Sequence, residues 1–198
     1  MKTYSQMSQD KFAQFLFKGK KGFFLDFGCG DGVSTNNPCG NNTLILEQNG
    51  WNGLSIDIDP NHTAIFKHYR KTNIEALDLT ICNISDLLNK YDCPQIIDYF
   101  SFDIDEATQQ VIRKFPFDQF EFKFITFEHD FYAHGPEVKE EAFDIFTKNG
   151  YSRLINNVNL SPHGAVEDWY INEKHFDNIN LHFLSDIEHS DILQKYNG

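Results

Sequence analysis

The segment Leu25-Asp26-Phe27-Gly28-Cys29-Gly30-Asp31-Gly32 constrains the fold more than any other part of the chain. It reads as an apolar strand that ends in an acid and runs into a turn with glycine at alternate positions. Glycine has no Cβ, so such a turn can take positive φ and bring the backbone against a ligand. The G-x-G-x-G spacing differs from the G-x-G-x-x-G fingerprint of dinucleotide sites. A pyrophosphate prefers a bare helix N-terminus, whereas an acid ahead of the turn asks for a cationic or hydroxylated partner. Asp26 with this turn therefore favours S-adenosylmethionine (SAM), whose amino-acid end carries an ammonium. Gly28, Cys29, Gly30, Gly32 and Ser34 fall on the expected cofactor side, Cys29 as a small filler rather than a nucleophile.

Short apolar runs alternate with helical periodicity downstream. Strands are expected at residues 23–26, 53–56, within 74–81, at 97–102 and at 122–127. Helices are expected at 6–17, 42–49, 60–71, 84–90, 106–114 and 137–148, and a closing pair of strands at 151–158 and 166–171. This alternation implies an α/β fold, a Rossmann-like and mostly parallel sheet with helices on both faces. The 198 residues suffice for one domain, with an N-terminal helix inside residues 1–20 and a helical tail over 172–198. The 20 phenylalanines suit an aromatic core.

The formal charge of −12 disfavours nucleic acid and anionic membranes as partners. No apolar run reaches membrane-spanning length, and the polar start of the chain lacks a signal core. Cys29, Cys39, Cys82 and Cys93 show no C-x-x-C spacing, which fits a reduced, cytoplasmic protein. The sequence leaves the oligomeric state open, a homodimer included.

The glycine turn continues into Asn42-Thr43-Leu44, and Gly50-Trp51-Asn52-Gly53-Leu54-Ser55-Ile56-Asp57-Ile58-Asp59-Pro60 follows. Together with Ser5-Gln6, Gln9-Asp10 and Glu167-Asp168-Trp169-Tyr170, this resembles the FkbM-like branch of SAM-dependent methyltransferases over residues 5 to 172. The resemblance implies a class I methyltransferase fold with seven strands, the last antiparallel. It also implies SAM as cofactor and O-methylation of a hydroxyl on a sugar or other small molecule. Residues 38–40 look like an insertion relative to that pattern, and Glu106 stands where many relatives carry glycine.

In open α/β sheets ligands bind beyond the carboxyl ends of the strands. Those ends carry Asp26, Asp57 with Ile58, Asn83, Asp103 with Asp105, and Glu128-His129-Asp130. Converging carboxylates repel unless something cationic binds. Asp57 is expected to grip ribose hydroxyls, with Ile58 beside it, and Asp59 to cap the next helix. Asn83 suits either the adenine amine or a helix cap. His129 is assigned as general base for the acceptor, with Asp103 and Asp105 positioning it. The Asp103, Glu128 and His129 set resembles the magnesium site of catechol-type O-methyltransferases, with Asp103 and Glu128 as oxygen ligands. Trp169 is expected to pack on the sheet. A nicotinamide-dependent oxidoreductase and a non-catalytic SAM-binding subunit are the alternatives.

Overall fold

The computed structural model describes residues 3–33, 40–176 and 181–196. Its strands are β1 (Phe23–Phe27), β2 (Asn52–Asp57), β3 (Asn73–Ala76), β4 (Ile96–Phe102), β5 (Glu121–Glu128), β6 (Ser152–Leu160), β7 (Gly164–Ile171) and β8 (Leu184–Glu188). Its helices are α1 (Gln9–Phe17), α2 (Leu44–Gln48), α3 (Pro60–Tyr69), α4 (Ile84–Lys90), α5 (Thr108–Arg113), α6 (Phe131–His134), α7 (Glu137–Lys148) and α8 (Ile192–Tyr196). One sheet runs β3-β2-β1-β4-β5-β7-β6-β8. The strands β1 to β5 are mutually parallel, and β7 lies antiparallel between β5 and β6.

The expected seven strands are eight, and the expected helical tail is corrected accordingly. The tail supplies β8, which pairs parallel with β6. Among its described residues the helical content is two short 3-10 turns, Glu173–His175 and His189–Asp191, and α8. The signal for β8 is weak because a short edge strand buries little. Of its five residues only Ile187 is fully buried. The N-terminal helix starts at Gln9 rather than at residue 6, after Ser8 in the left-handed region. The helix expected at 106–114 begins instead as a 3-10 turn, Asp105–Ala107. No helix among the described residues is long and apolar enough to cross a membrane.

Period-two alternation sorts the sheet onto two apolar layers. Leu25, Phe27, Phe100, Phe102, Ile125 and Phe127 join the layer that packs with α4, α5 and α7. Phe24, Tyr99, Phe124 and Trp169 join the layer that packs with α1 and α8. Trp169 is fully buried there, its ring 4.9 Å from Phe12 and 5.7 Å from Phe124. A polar row, Ser55, Asp26, Ser101 and Thr126, crosses four strands in register two residues below the carboxyl edge.

The loops that follow β1 are held by Arg70, whose side chain is completely buried just after α3. Its guanidinium donates to Glu47 Oε2 at 2.7 Å, Gly32 O at 2.9 Å, Thr43 Oγ1 at 3.2 Å and Asn41 Oδ1 at 3.3 Å. Glu47 also accepts from the Lys71 N–H and the Thr72 hydroxyl. Burial opposes the Glu47 charge, but the bonds from Thr72 and Arg70 outweigh it and hold the carboxyl below its usual range. Removing one partner of a buried ion pair strands the other. Arg70→Met is expected to cost about 3 kcal/mol of stability, read as a lower urea midpoint at unchanged slope.

Candidate functional site

The strands β1, β2, β4 and β5 each run apolar and then meet the carboxyl edge at the same level. That edge presents Gly28, Asp57, Asp103 and Glu128. Above it lies a cleft of about 650 Å3, bordered by Gly28, Gly30, Asp57, Ile58, Asp103 and Asp105 among others. It sits where the chain order reverses between β1 and β4, the switch point at which such sheets bind ligands. A second cavity of about 220 Å3 adjoins it, and Asp105 and Glu106 border both.

The glycines of the turn differ in role. Gly28 has φ +81, and a Cβ there would lie 1.5 Å from the Asp103 carbonyl oxygen, so the turn closes directly on the end of β4. Gly30 borders the cleft. Gly32 does not line it. A Cβ on Gly32 would strike the Phe66 ring at 2.0 Å, so this glycine serves packing rather than the cofactor side. Cys29 is buried, with its thiol directed at Gly30 O, as a filler would be. Ser34 and residues 38–39 of the expected insertion lie outside the described residues.

Asp26 is buried below the cleft and is not among its lining residues. It accepts from Thr43 Oγ1 at 2.6 Å. Burial pushes its carboxyl up to about 6, against the bonds from Thr43 and Ser101 and the Arg70 charge. Asp57 does border the cleft. Its oxygens accept from Gly30 N at 2.9 Å and Asp59 N at 2.8 Å, and His62 Nδ1 stands 3.1 Å away. Asp57 thus fixes the glycine turn and the entry to α3 while facing the cleft. Ile58 is 70% exposed at the cleft. Asp59 caps α3 through Asn61 N, as expected.

Asn83 caps α4, accepting from Asp86 N at 3.3 Å, and is not among the cleft residues. The opposite wall is instead Leu77, Asp78, Leu79 and Thr80, which sequence reasoning passed over. Their signal was present: Asp78 Oδ1 accepts from both Thr80 N and Thr80 Oγ1, the turn that an Asp two residues before a Thr forms. His62 on α3 also borders the cleft.

Asp103, Asp105 and Glu128 come together, each offering an oxygen within 4.8 Å of the others. No Lys or Arg among the described residues forms an ion pair with them. Burial, a hydrogen bond with Asp103 and the charge of Asp103 push Glu128 up to about 11. Asp103 is also raised, by burial first and then by Asp105 and Asp130. Two carboxyls in that state share one proton at neutral pH.

The assignment of His129 as general base is corrected. Its ring is buried, and Nδ1 accepts from the Phe131 N–H at 3.2 Å. A backbone N–H can only donate, so the ring proton is on Nε2, facing Asp168 Oδ1 at 3.3 Å. No lone pair of the imidazole is left for an acceptor. Asp168 in turn takes Asn157 N at 2.7 Å and Arg153 at 3.1 Å, with Lys139 at 3.7 Å. Burial opposes its charge, but the bonds from His129 and Asn157 outweigh it and keep its carboxyl low. Glu167 is buried against Trp169 Nε1 and Gln9, and burial raises it to about 8. The Glu167-Asp168-Trp169 segment therefore braces β5 and α1 from behind the site.

No protein-family model and no curated protein sequence matches the chain. Solved structures do. A TehB-like SAM-dependent methyltransferase from Corynebacterium glutamicum is 14% identical over 80% of this chain and 86% of its own, with a TM-score of 0.51. The fibrillarin of Aeropyrum pernix, solved with natively bound SAM, is 13% identical over 84% of this chain and 74% of its own, at 0.53. An O-methyltransferase from Bacillus cereus, solved with S-adenosylhomocysteine, is 12% identical over 83% and 80%, at 0.52. The chain has the Rossmann-like α/β fold of these proteins, a central sheet flanked by helices.

Two outcomes check this geometry. Asn83→Ala is expected to cost about 1 kcal/mol, the loss of a helix cap, measured by urea denaturation. Folded Asp26 holds its proton more tightly than the unfolded chain, so its contribution turns against folding as pH rises from about 4 to about 6 and is constant above. The stability difference between wild type and Asp26→Asn should shift by up to about 3 kcal/mol in the variant's favour across that window. Denaturation curves stepped from about pH 4 to about pH 7 measure it.

Proposed function

We propose that this protein is a SAM-dependent methyltransferase. It binds SAM in the cleft at the switch point and modifies a small-molecule acceptor in the adjoining cavity. The shared wall carries this reading: because Asp105 and Glu106 border both spaces, a ligand in one meets a ligand in the other.

The chain's own residues suit the cofactor. Gly30 has φ +56, and a Cβ added there meets no atom within 4 Å, so internal packing does not explain the glycine. Asp57 offers carboxylate oxygens for ribose hydroxyls, and Ile58 an apolar face for adenine. Asn42 Oδ1 is buried without a hydrogen-bond partner among the described residues. The Asn42 amide nitrogen donates to Ser101 Oγ, two residues below the edge, and Oδ1 suits a ligand ammonium. Bound SAM supplies a methyl group activated by its sulfonium.

The remaining tasks are alignment of the acceptor and removal of its proton. Asp105 and Glu128 border the acceptor cavity: Asp105 is the group to take the proton, and Glu128, which shares a proton with Asp103, is the group to align the acceptor. The FkbM-like motifs extend the proposal to a hydroxyl on a sugar or other small molecule. A hydroxyl needs a base or a bound cation that lowers its pKa. The oxygen-only donor set of Asp103, Asp105 and Glu128 suits magnesium for that purpose.

Titration calorimetry with SAM tests the reading. Micromolar binding is expected, weakened at least about tenfold by Asp57→Ala. Folded protein that takes up no SAM would remove the methyltransferase reading.

A further inference from the structure

We propose that the acceptor is an organic cation, a small molecule whose protonated amine sits among Asp105, Glu106 and Glu137 while its methyl-accepting atom faces the cofactor cleft. The inference rests on the methyltransferase reading and adds the acceptor's charge to it. The position of the cavity makes it the acceptor site, since it opens against the cofactor cleft across Asp105 and Glu106. Its lining then says what enters.

The ionisable side chains around the cavity are Asp105, Glu106, Glu128, Asp130, Glu137 and His129. The His129 ring is committed to Phe131 and Asp168. No Lys or Arg lines the cavity among the described residues, and residues 34–39 contain none. Two basic side chains on the flanking helices are engaged elsewhere. Arg113 on α5 pairs with Glu141 at 2.5 Å, and Lys139 on α7 is bonded to Asn157 and lies near Asp168. Gln109, the amide on this wall, is likewise bonded to Glu141.

Such a lining discriminates by charge. A phosphorylated or carboxylated acceptor meets like charges at short range. A neutral polyol can donate hydrogen bonds but leaves the excess charge uncompensated as water is displaced. An ammonium donates charge-assisted bonds to several carboxylates at once. The volume of about 220 Å3 holds a metabolite of roughly seven heavy atoms, taking about 30 Å3 per water-sized group.

The test uses the full chain with SAM. The probes are ethanolamine and 4-aminobutanol, set against the size-matched neutral diols ethylene glycol and 1,4-butanediol. Saturation-transfer NMR reads binding, and mass spectrometry reads methyl transfer. Amine probes should bind, lose affinity with added salt, and lose roughly tenfold in Glu106→Gln and in Glu137→Gln. Glu137→Gln should leave SAM affinity unchanged. Neutral probes bound or methylated as well as the amines overturn the inference. So does a SAM-loaded protein that binds none of the amines, whether or not magnesium binds there. Absence of SAM binding overturns the methyltransferase reading and this inference with it.

Discussion

A single buried guanidinium organises the loops on which the site is built. Arg70 reaches the glycine turn through Gly32 O, the segment ahead of α2 through Asn41 and Thr43, and α2 itself through Glu47. A fully buried charge is tolerable only when its donors are satisfied and an opposite charge is close. That requirement makes the arrangement specific: the turn, α2 and the end of α3 must all be in place for Arg70 to be buried at all. The turn in turn delivers Gly30 N to Asp57, so the cleft-facing carboxylate inherits its position from a residue that never reaches the cleft.

The carboxyl edge is the second constraint, and it works against stability. Parallel strands in register bring their last residues to one level, and here those residues or their immediate successors include Asp57, Asp103 and Glu128. Retaining a proton between Asp103 and Glu128 relieves part of the repulsion. The polar row beneath, Asp26 with Ser101 and Thr126, holds another raised carboxyl. A core rich in phenylalanine bears this cost. Ligand sites are where such local conflict is expected.

Much of the fold was legible because its strands and helices carry strong local signals. The bounds of α4 and α7 match expectation, since Asn83 caps one and Asn149-Gly150 stop the other. The glycine turn, Asp57, Ile58, Asp103, Asp105 and Glu128 are brought to one edge, as strand ends in a parallel sheet must be. What was missed has physical reasons. β8 is a short edge strand with little buried surface. The fate of Asn83 depended on whether its side chain turned to the helix or the cleft, which spacing does not encode. The role of His129 depended on a backbone N–H two residues away and on a carboxylate 39 residues away. The Asp78 turn was hidden inside an apolar stretch that reads as strand.

The strand order also dictates how the chain can assemble as it is synthesised. β2 can dock on β1 and β3 on β2, and β4 and β5 can then extend the other side, each strand finding a neighbour already made. β6 breaks this sequence. It emerges before β7, yet β7 is the strand that joins it to β5. Until the β6–β7 hairpin swings in, the growing sheet ends at β5 with Glu128 on an open edge. The acidic half of the site can therefore be completed only after the segment carrying Trp169 has been made.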